Sequence, residues 1–299
     1  MSRRLATPRS VSTTNDALSI EAGLSALAGA HLDRLREVAA RARGLVIKMA
    51  HDGRTPHVGS ALSSVDILVA LYFSALRISP QAPLDPDRDR FVMSKGHGCM
   101  ALYAVLSEAG FFPASILDEY AVNGGRLAEH PGPGCVPGIE LATGSLGHGL
   151  SVGAGLALGA RMRGVGARSF VLLSDGECQE GTVWEAACFA AVNQLDNLVA
   201  IVDYNGLSAM QSTFPALEPL ADKWRAFGWE VVEVNGHDLN QLTAGLHSVP
   251  VRRHAPTAIV AHTLKGRGVS FMENDLEWHY RPPSDEDLRM ARSELGLTA

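Results

Sequence analysis

Four short apolar runs in the second half of the chain, 170–173, 198–203, 230–234 and 257–262, alternate with amphipathic stretches at 182–193, 217–227 and 239–248. Short apolar runs bounded by polar or Gly positions read as buried strands, and the stretches between them have helical periodicity. Strand–helix alternation leaves few solutions: the strands must lie parallel in one sheet, with the helices on its two faces. A further short strand, Phe91-Val92-Met93, runs into Ser94-Lys95-Gly96-His97-Gly98 ahead of a helix. The expected fold class is therefore α/β.

Order is expected to begin near His31, where Leu32, Leu35, Val38, Ala39, Ala42, Leu45, Val46 and Met49 recur at helical spacing. Ser63 and Asp66 form a loose capping box for a helix through about Leu76. Residues 123–149 are rich in Gly and Pro and read as a long irregular loop, of a length that is usually functional or disordered. A Gly/Ala/Leu helix over 149–163 follows, and a final helix is expected from Ser284 to Leu295. Met1 to Thr14 carries Arg3, Arg4 and Arg9, several Ser and Thr, and no acid. Without an apolar face this reads as a mobile arm rather than an organelle transit segment. The expected organisation is an arm over 1–30 and one domain over 31–299.

Bulk composition excludes several classes. The 299 residues are 46% hydrophobic and 19% charged, with a net charge of −6. No basic stripe stands out, which argues against nucleic acid. No apolar segment is read as long enough to span a membrane, so no membrane partner is expected. Cys99, Cys135, Cys178 and Cys188 show neither CxxC spacing nor secreted-scaffold density. They fit reduced thiols in a cytoplasmic protein and argue against zinc.

Chemistry is expected at the strand ends. Strand 170–173 runs into Ser174-Asp175-Gly176-Glu177, and strand 198–203 into Asp203-Tyr204-Asn205-Gly206-Leu207. Open α/β sheets bind ligands beyond the carboxyl ends of their strands. Asp175 and Asn205 could give two oxygens to one magnesium ion, which usually takes one or two protein groups plus substrate phosphates. The helix beginning near Thr182 offers N–H groups to a phosphate. The competing reading is an N-cap aspartate and two unrelated turns. Among the eleven histidines, His31, His51, His237, His247 and His254 read as surface or satisfied core, and His262 is undecided. His57, His97, His130, His148 and His279 lie in Gly- or Pro-rich turns or just past apolar segments, where loops expose side chains.

At this point "SDGECQEGTVWEA" followed by "DYNGL" resembles the thiamine-diphosphate motif of the transketolase family. "HVGSALSSVDILVALY", "MSKGHGCMALYAVL", "EHPG", "ELATGSLGHGLSVGAGLALGAR" and "AHTLKGRGVSFMEN…EWHY" are similar to its other motifs, in the family's order, over about 31–285. The resemblance implies the pyrophosphate-binding domain of a thiamine-diphosphate enzyme. It implies magnesium held by Asp175, the Asn205 side chain and the Leu207 carbonyl. Gly176 and Glu177 would lie at the cofactor, with Gly144, Ser145 and Leu146 beneath its rings. His57, His97, His130 and His279 would line the channel as catalytic proton-transfer and substrate-binding groups, His97 and His279 also touching the diphosphate. His148 falls where packing and contact are equally implied, and Glu180 where a carboxylate network joins active sites between subunits. Ser174 stands where the family motif starts with Gly, and Tyr280 where the family often has Gly.

The implied function is that of the N-terminal subunit of a two-chain transketolase. Such an enzyme moves a two-carbon ketol unit from a ketose or ketose phosphate to an aldehyde. The expected partner is a C-terminal subunit carrying the pyrimidine-binding domain, in an α2β2 heterotetramer, and the chain alone is expected to be inactive. Two alternatives are a subunit of a 1-deoxyxylulose-5-phosphate synthase-like enzyme and a non-catalytic cofactor-binding protein.

Overall fold

The computed structural model describes residues 13–297. Five strands form one sheet: β1 (Arg90–Met93), β2 (Ser169–Ser174), β3 (Leu198–Tyr204), β4 (Glu230–Asn235) and β5 (Thr257–His262). Their order is β1-β2-β3-β5-β4 and every pairing is parallel. The expected α/β class holds, and each expected strand appears within two residues of its expected bounds.

Alternate residues of each strand serve two cores, as the period-two geometry of a strand requires. Phe170, Leu172, Val199, Ile201 and Ile259 face helices α1 (Thr13–Gly53), α2 (Val58–Ala70) and α3 (Cys99–Glu108). Val171, Leu173, Ala200, Val202 and Val260 face α4 (His148–Met162) and α5 (Gly181–Val192). After β3 come a short α6 (Phe214–Leu217) and α7 (Leu220–Ala226), whose Trp224 joins the α4/α5 side. Finally α8 (Leu239–His247) and α9 (Asp285–Glu294) bring Leu242 and Ala291 to the α1–α3 side.

Four expectations change. The first helix starts at Thr13 rather than near His31, while residues 1–12 of the expected arm lie outside the described residues. Helix α2 starts at Val58, and His57 before it makes no side-chain cap. Ser63 and Asp66, read as a capping box, lie inside that helix and are buried, because both bond to other elements. The stretch expected as one helix over 217–227 is divided, since Pro219 lacks the N–H that would continue α6. Val58–Ala75 does reach 18 residues with a mean hydropathy of 1.6, but 78% of it is buried inside the fold. Its apolar surface faces the core, as expected for a central helix of a packed domain.

Candidate active site

The functional side chains leave the carboxyl edge of the sheet. Asp175 follows β2 directly and has no exposed surface. Its Oδ1 accepts from the Gly176 N–H at 2.8 Å. Its Oδ2 accepts from the Gly206 N–H and the Thr213 hydroxyl, both at 2.7 Å. Gly206 has φ of 78°, and a Cβ there would lie 2.6 Å from the Phe214 ring, so only glycine presents this N–H. Burial pushes the Asp175 carboxyl up to about 6, with the neighbouring charge of Asp203 adding to it against the hydrogen bonds. Beside it, Asn205 is buried and its Oδ1 accepts from the Leu207 N–H at 3.1 Å. The expected trio of Asp175, Asn205 and Leu207 is thus gathered at the adjoining ends of β2 and β3.

Three buried groups that the sequence reading did not single out complete this floor. Asp203, the sixth residue of β3, accepts from Lys95 Nζ at 2.5 Å, Ser63 Oγ at 2.6 Å and Ser64 Oγ at 3.2 Å. Thr263 Oγ1 also donates to it. Burial opposes charge on Asp203, but Lys95 and the hydroxyls outweigh it and hold the carboxyl below its usual range. Lys265, 1% exposed, donates to the Ser208 carbonyl at 2.9 Å and lies 2.9 Å from His279 Nδ1. Burial, then Lys95, lowers its ammonium to about 8. A buried cation whose hydrogen-bond partners are neutral is suited to an incoming anion. The available signal was position: each of these residues ends a strand or sits in the loop just beyond one.

Glu177, expected at the cofactor, is held by the chain's own groups. It has no exposed surface, and its carboxylate accepts from the Gly147 N–H at 2.8 Å, the Ser174 N–H at 3.3 Å and the Ser94 hydroxyl. It ties the loop after β1 and the loop before α4 to the end of β2. Burial pushes this carboxyl up. Ser174 accepts from the Glu177 N–H at 3.1 Å, a bond that glycine could not make.

The four singled-out histidines form one row. Ring centroids are 4.7 Å apart for His97 and His130, 4.8 Å for His57 and His97, and 4.9 Å for His57 and His279, all edge to face. His57 has φ of 71° and its N–H donates to the His279 carbonyl at 2.8 Å. Burial, then the charges of His97 and His130, lowers His57 to about 4. Burial, then Lys265, lowers His279 to about 3. Burial and His130 lower His97 as well. His57, His97 and His279 are therefore held as neutral imidazoles near pH 7. Gly144 has φ of 143°, and a Cβ there would sit 2.5 Å from the His130 ring, which places the 144–146 loop against the row. Ser145 is exposed and Leu146 half-buried. His148 stands apart: it is exposed, and its Nδ1 faces the Leu146 carbonyl at 3.1 Å. Glu180 is exposed at the start of α5, and Tyr280 is exposed with its ring 4.8 Å from His279.

A family model described as the thiamine diphosphate binding domain of transketolase matches residues 35–299. The chain is 40% identical over 255 residues to one subunit of the apulose-4-phosphate transketolase of Phocaeicola vulgatus, covering 85% of this chain and 90% of that one. It is 41% identical over 241 residues to a 6-deoxy-6-sulfo-D-fructose transketolase subunit of a Clostridium species, covering 80% of this chain and 88% of that one. A solved transketolase from Leishmania mexicana superposes with a TM-score of 0.82 at 31% identity, over 88% of this chain and 41% of that one. The chain thus spans nearly all of the subunit relatives and well under half of the solved transketolase. It belongs to the transketolase family, where it matches the thiamine-diphosphate-binding N-terminal part.

Proposed function

We propose that the chain is the diphosphate-holding subunit of a two-chain transketolase, which moves a two-carbon ketol unit from a ketose or ketose phosphate to an aldehyde. The partner would carry the pyrimidine-binding domain, in an α2β2 assembly. The observation that carries this reading is Asp175: a fully enclosed carboxylate whose partners are N–H and hydroxyl groups, with no cation within ion-pair distance among the described residues. That donor set, with the Asn205 amide beside it, suits one hard cation completed by phosphate oxygens. Asp175, Asn205 and the Leu207 carbonyl would hold magnesium, and Lys265 would meet the diphosphate charge. Support for a partner comes from the subunit relatives, which this chain matches over about nine-tenths of their length.

When bound, thiamine diphosphate supplies the carbon nucleophile and the electron sink for cleaving and forming a carbon–carbon bond. The chain's own residues anchor and move protons. A neutral imidazole donates at one ring nitrogen and accepts at the other, so His57, His97 and His279 can bind sugar hydroxyls, with His130 at the end of the same row. These imidazoles can also pass a proton to or from a carbonyl oxygen. Glu177 keeps the Gly147 end of the 144–147 loop at the sheet edge.

Asp175→Ala should leave the fold largely intact, because the residue lies beyond the paired core of β2. It should weaken magnesium-dependent thiamine-diphosphate binding at least tenfold, the lower end of what even a supporting group costs a metal site. Calorimetry on the assembled enzyme checks this, and unchanged affinity would remove the metal assignment. His57→Ala and His130→Ala should each cut turnover by about a hundredfold while cofactor affinity holds. Wild-type turnover in both would return these histidines to a packing role.

A further inference from the structure

A buried trio lies behind the site, on the side of the loop that carries Lys265. Arg43 of α1 is 7% exposed and Asp66 of α2 is 5% exposed. His237 follows the end of β4 and its side chain is 11% exposed. The Leu264 N–H donates to His237 Nε2 at 2.7 Å. That nitrogen is therefore the acceptor, and Nδ1, 2.8 Å from Asp66 Oδ2, carries the proton and donates it. Arg43 Nη2 donates to the same carboxylate oxygen at 2.5 Å, and Arg43 Nε donates to the Arg267 carbonyl at 3.0 Å. The chain of bonds thus begins at Leu264 and ends at Arg267, bracketing Lys265. The trio lines a groove of about 640 Å³ that none of the four row histidines lines.

The same helix reaches the site from its other side, since Ser63 and Ser64 of α2 hold Asp203. Gly266 N–H donates to the Gly59 carbonyl at 3.0 Å, which fixes the loop to the start of α2. Loop 264–267 is therefore tied at three points to the β4–α8 turn, α2 and α1, on both sides of Lys265. We infer that Arg43, Asp66 and His237 are positioning residues for Lys265, which aim its ammonium at the cofactor diphosphate without touching the cofactor. This inference rests on the proposed diphosphate site.

The test is a calorimetric titration of the assembled enzyme with thiamine diphosphate and magnesium, beside kcat at saturating cofactor. His237→Leu removes both the acceptor for Leu264 and the donor to Asp66. It should raise the cofactor dissociation constant about 10- to 100-fold, the range seen when a supporting shell is lost, with kcat at saturation little changed. His237→Gln, whose amide can accept from Leu264 and donate to Asp66, should restore most of the affinity. Arg43→Lys keeps a charge near Asp66 but loses the forked reach to Arg267, and should show a smaller loss. A protein in which His237→Leu lowers the melting temperature yet binds cofactor as wild type does overturns the inference. If His237→Leu does not fold, wild-type affinity in Arg43→Lys overturns it. Lys265→Met separates the two readings. Loss of affinity there with normal binding in the His237 and Arg43 variants sinks only the positioning role. Normal binding in Lys265→Met sinks the diphosphate role of Lys265 itself.

Discussion

Asp175 and Asp203 stand at the ends of neighbouring strands, and neither has exposed surface. Burial pushes both carboxyls up from the ordinary 3.8, yet one ends at about 6 and the other below its usual range. Both accept several hydrogen bonds, so hydrogen bonding does not separate them. The difference is Lys95, whose ammonium lies 2.5 Å from Asp203 and has no counterpart at Asp175. A buried charge that the chain itself neutralises serves the fold. One left without a counter-ion costs stability until something else brings the charge. Perturbation toward the acid form thus marks the aspartate available to a ligand, and perturbation toward the anion marks the one already committed.

The largest expected effect breaks the committed pair. Asp203→Ala would strand the Lys95 ammonium, 3% exposed, and should destabilise the chain by about 3–5 kcal/mol in chemical denaturation. A loss below about 1 kcal/mol, the scale of an ordinary surface pair, would mean that Lys95 finds another partner and that the two aspartates are alike.

The second effect sets the signs against each other. Asp175 has its folded value raised to about 6 against an ordinary 3.8, so the fold prefers its acid form. Its stability contribution is fully present below 3.8 and is lost as pH rises through about 6. Asp203 runs the other way: its contribution is present above 3.8 and lost as pH falls below that. In cofactor-free protein, Asp175→Asn should therefore remove about 3 kcal/mol of the stability lost by wild type between about pH 4 and pH 7. Parallel stability–pH curves for wild type and Asp175→Asn would refute the assignment.

The smallest effect sharpens the comparison at Ser174, which pairs in register with Asp203 and precedes Asp175. Ser174→Gly removes the acceptor for the Glu177 N–H and should cost about 1 kcal/mol, with cofactor affinity unchanged. A change in cofactor affinity larger than the change in stability would place Ser174 at the diphosphate instead.

Much of this was legible in the chain. Runs such as Phe170 to Leu173 are buried throughout, and that makes a strand readable without its neighbours. The histidines were legible because their loops are rich in Gly and Pro. The Lys95–Asp203 pair was not, since its members are 108 residues apart and each alone looks like an ordinary loop or turn residue. The start of α2 was misplaced for a related reason. Ser63 and Asp66 are residue types that cap helices, but here they bond to Asp203 and Arg43, contacts that only the folded sheet creates. His237, read as surface or core, gains its partners in the same way. Local signals report local geometry, and polar residues on a buried helix mimic a helix end.

The backbone bond from the His57 N–H to the His279 carbonyl has a kinetic consequence. It joins positions 279 − 57 = 222 residues apart, and the histidine row depends on it. Closing so long a segment is entropically costly unless the sheet between has already drawn the ends together. The row must therefore assemble among the last parts of the chain, after β5 has entered between β3 and the edge strand. During synthesis, no amount of correctly folded sheet provides a complete row until residue 279 has emerged, so proton-transfer competence arrives later than the strand ends that hold Asp175 and Asn205.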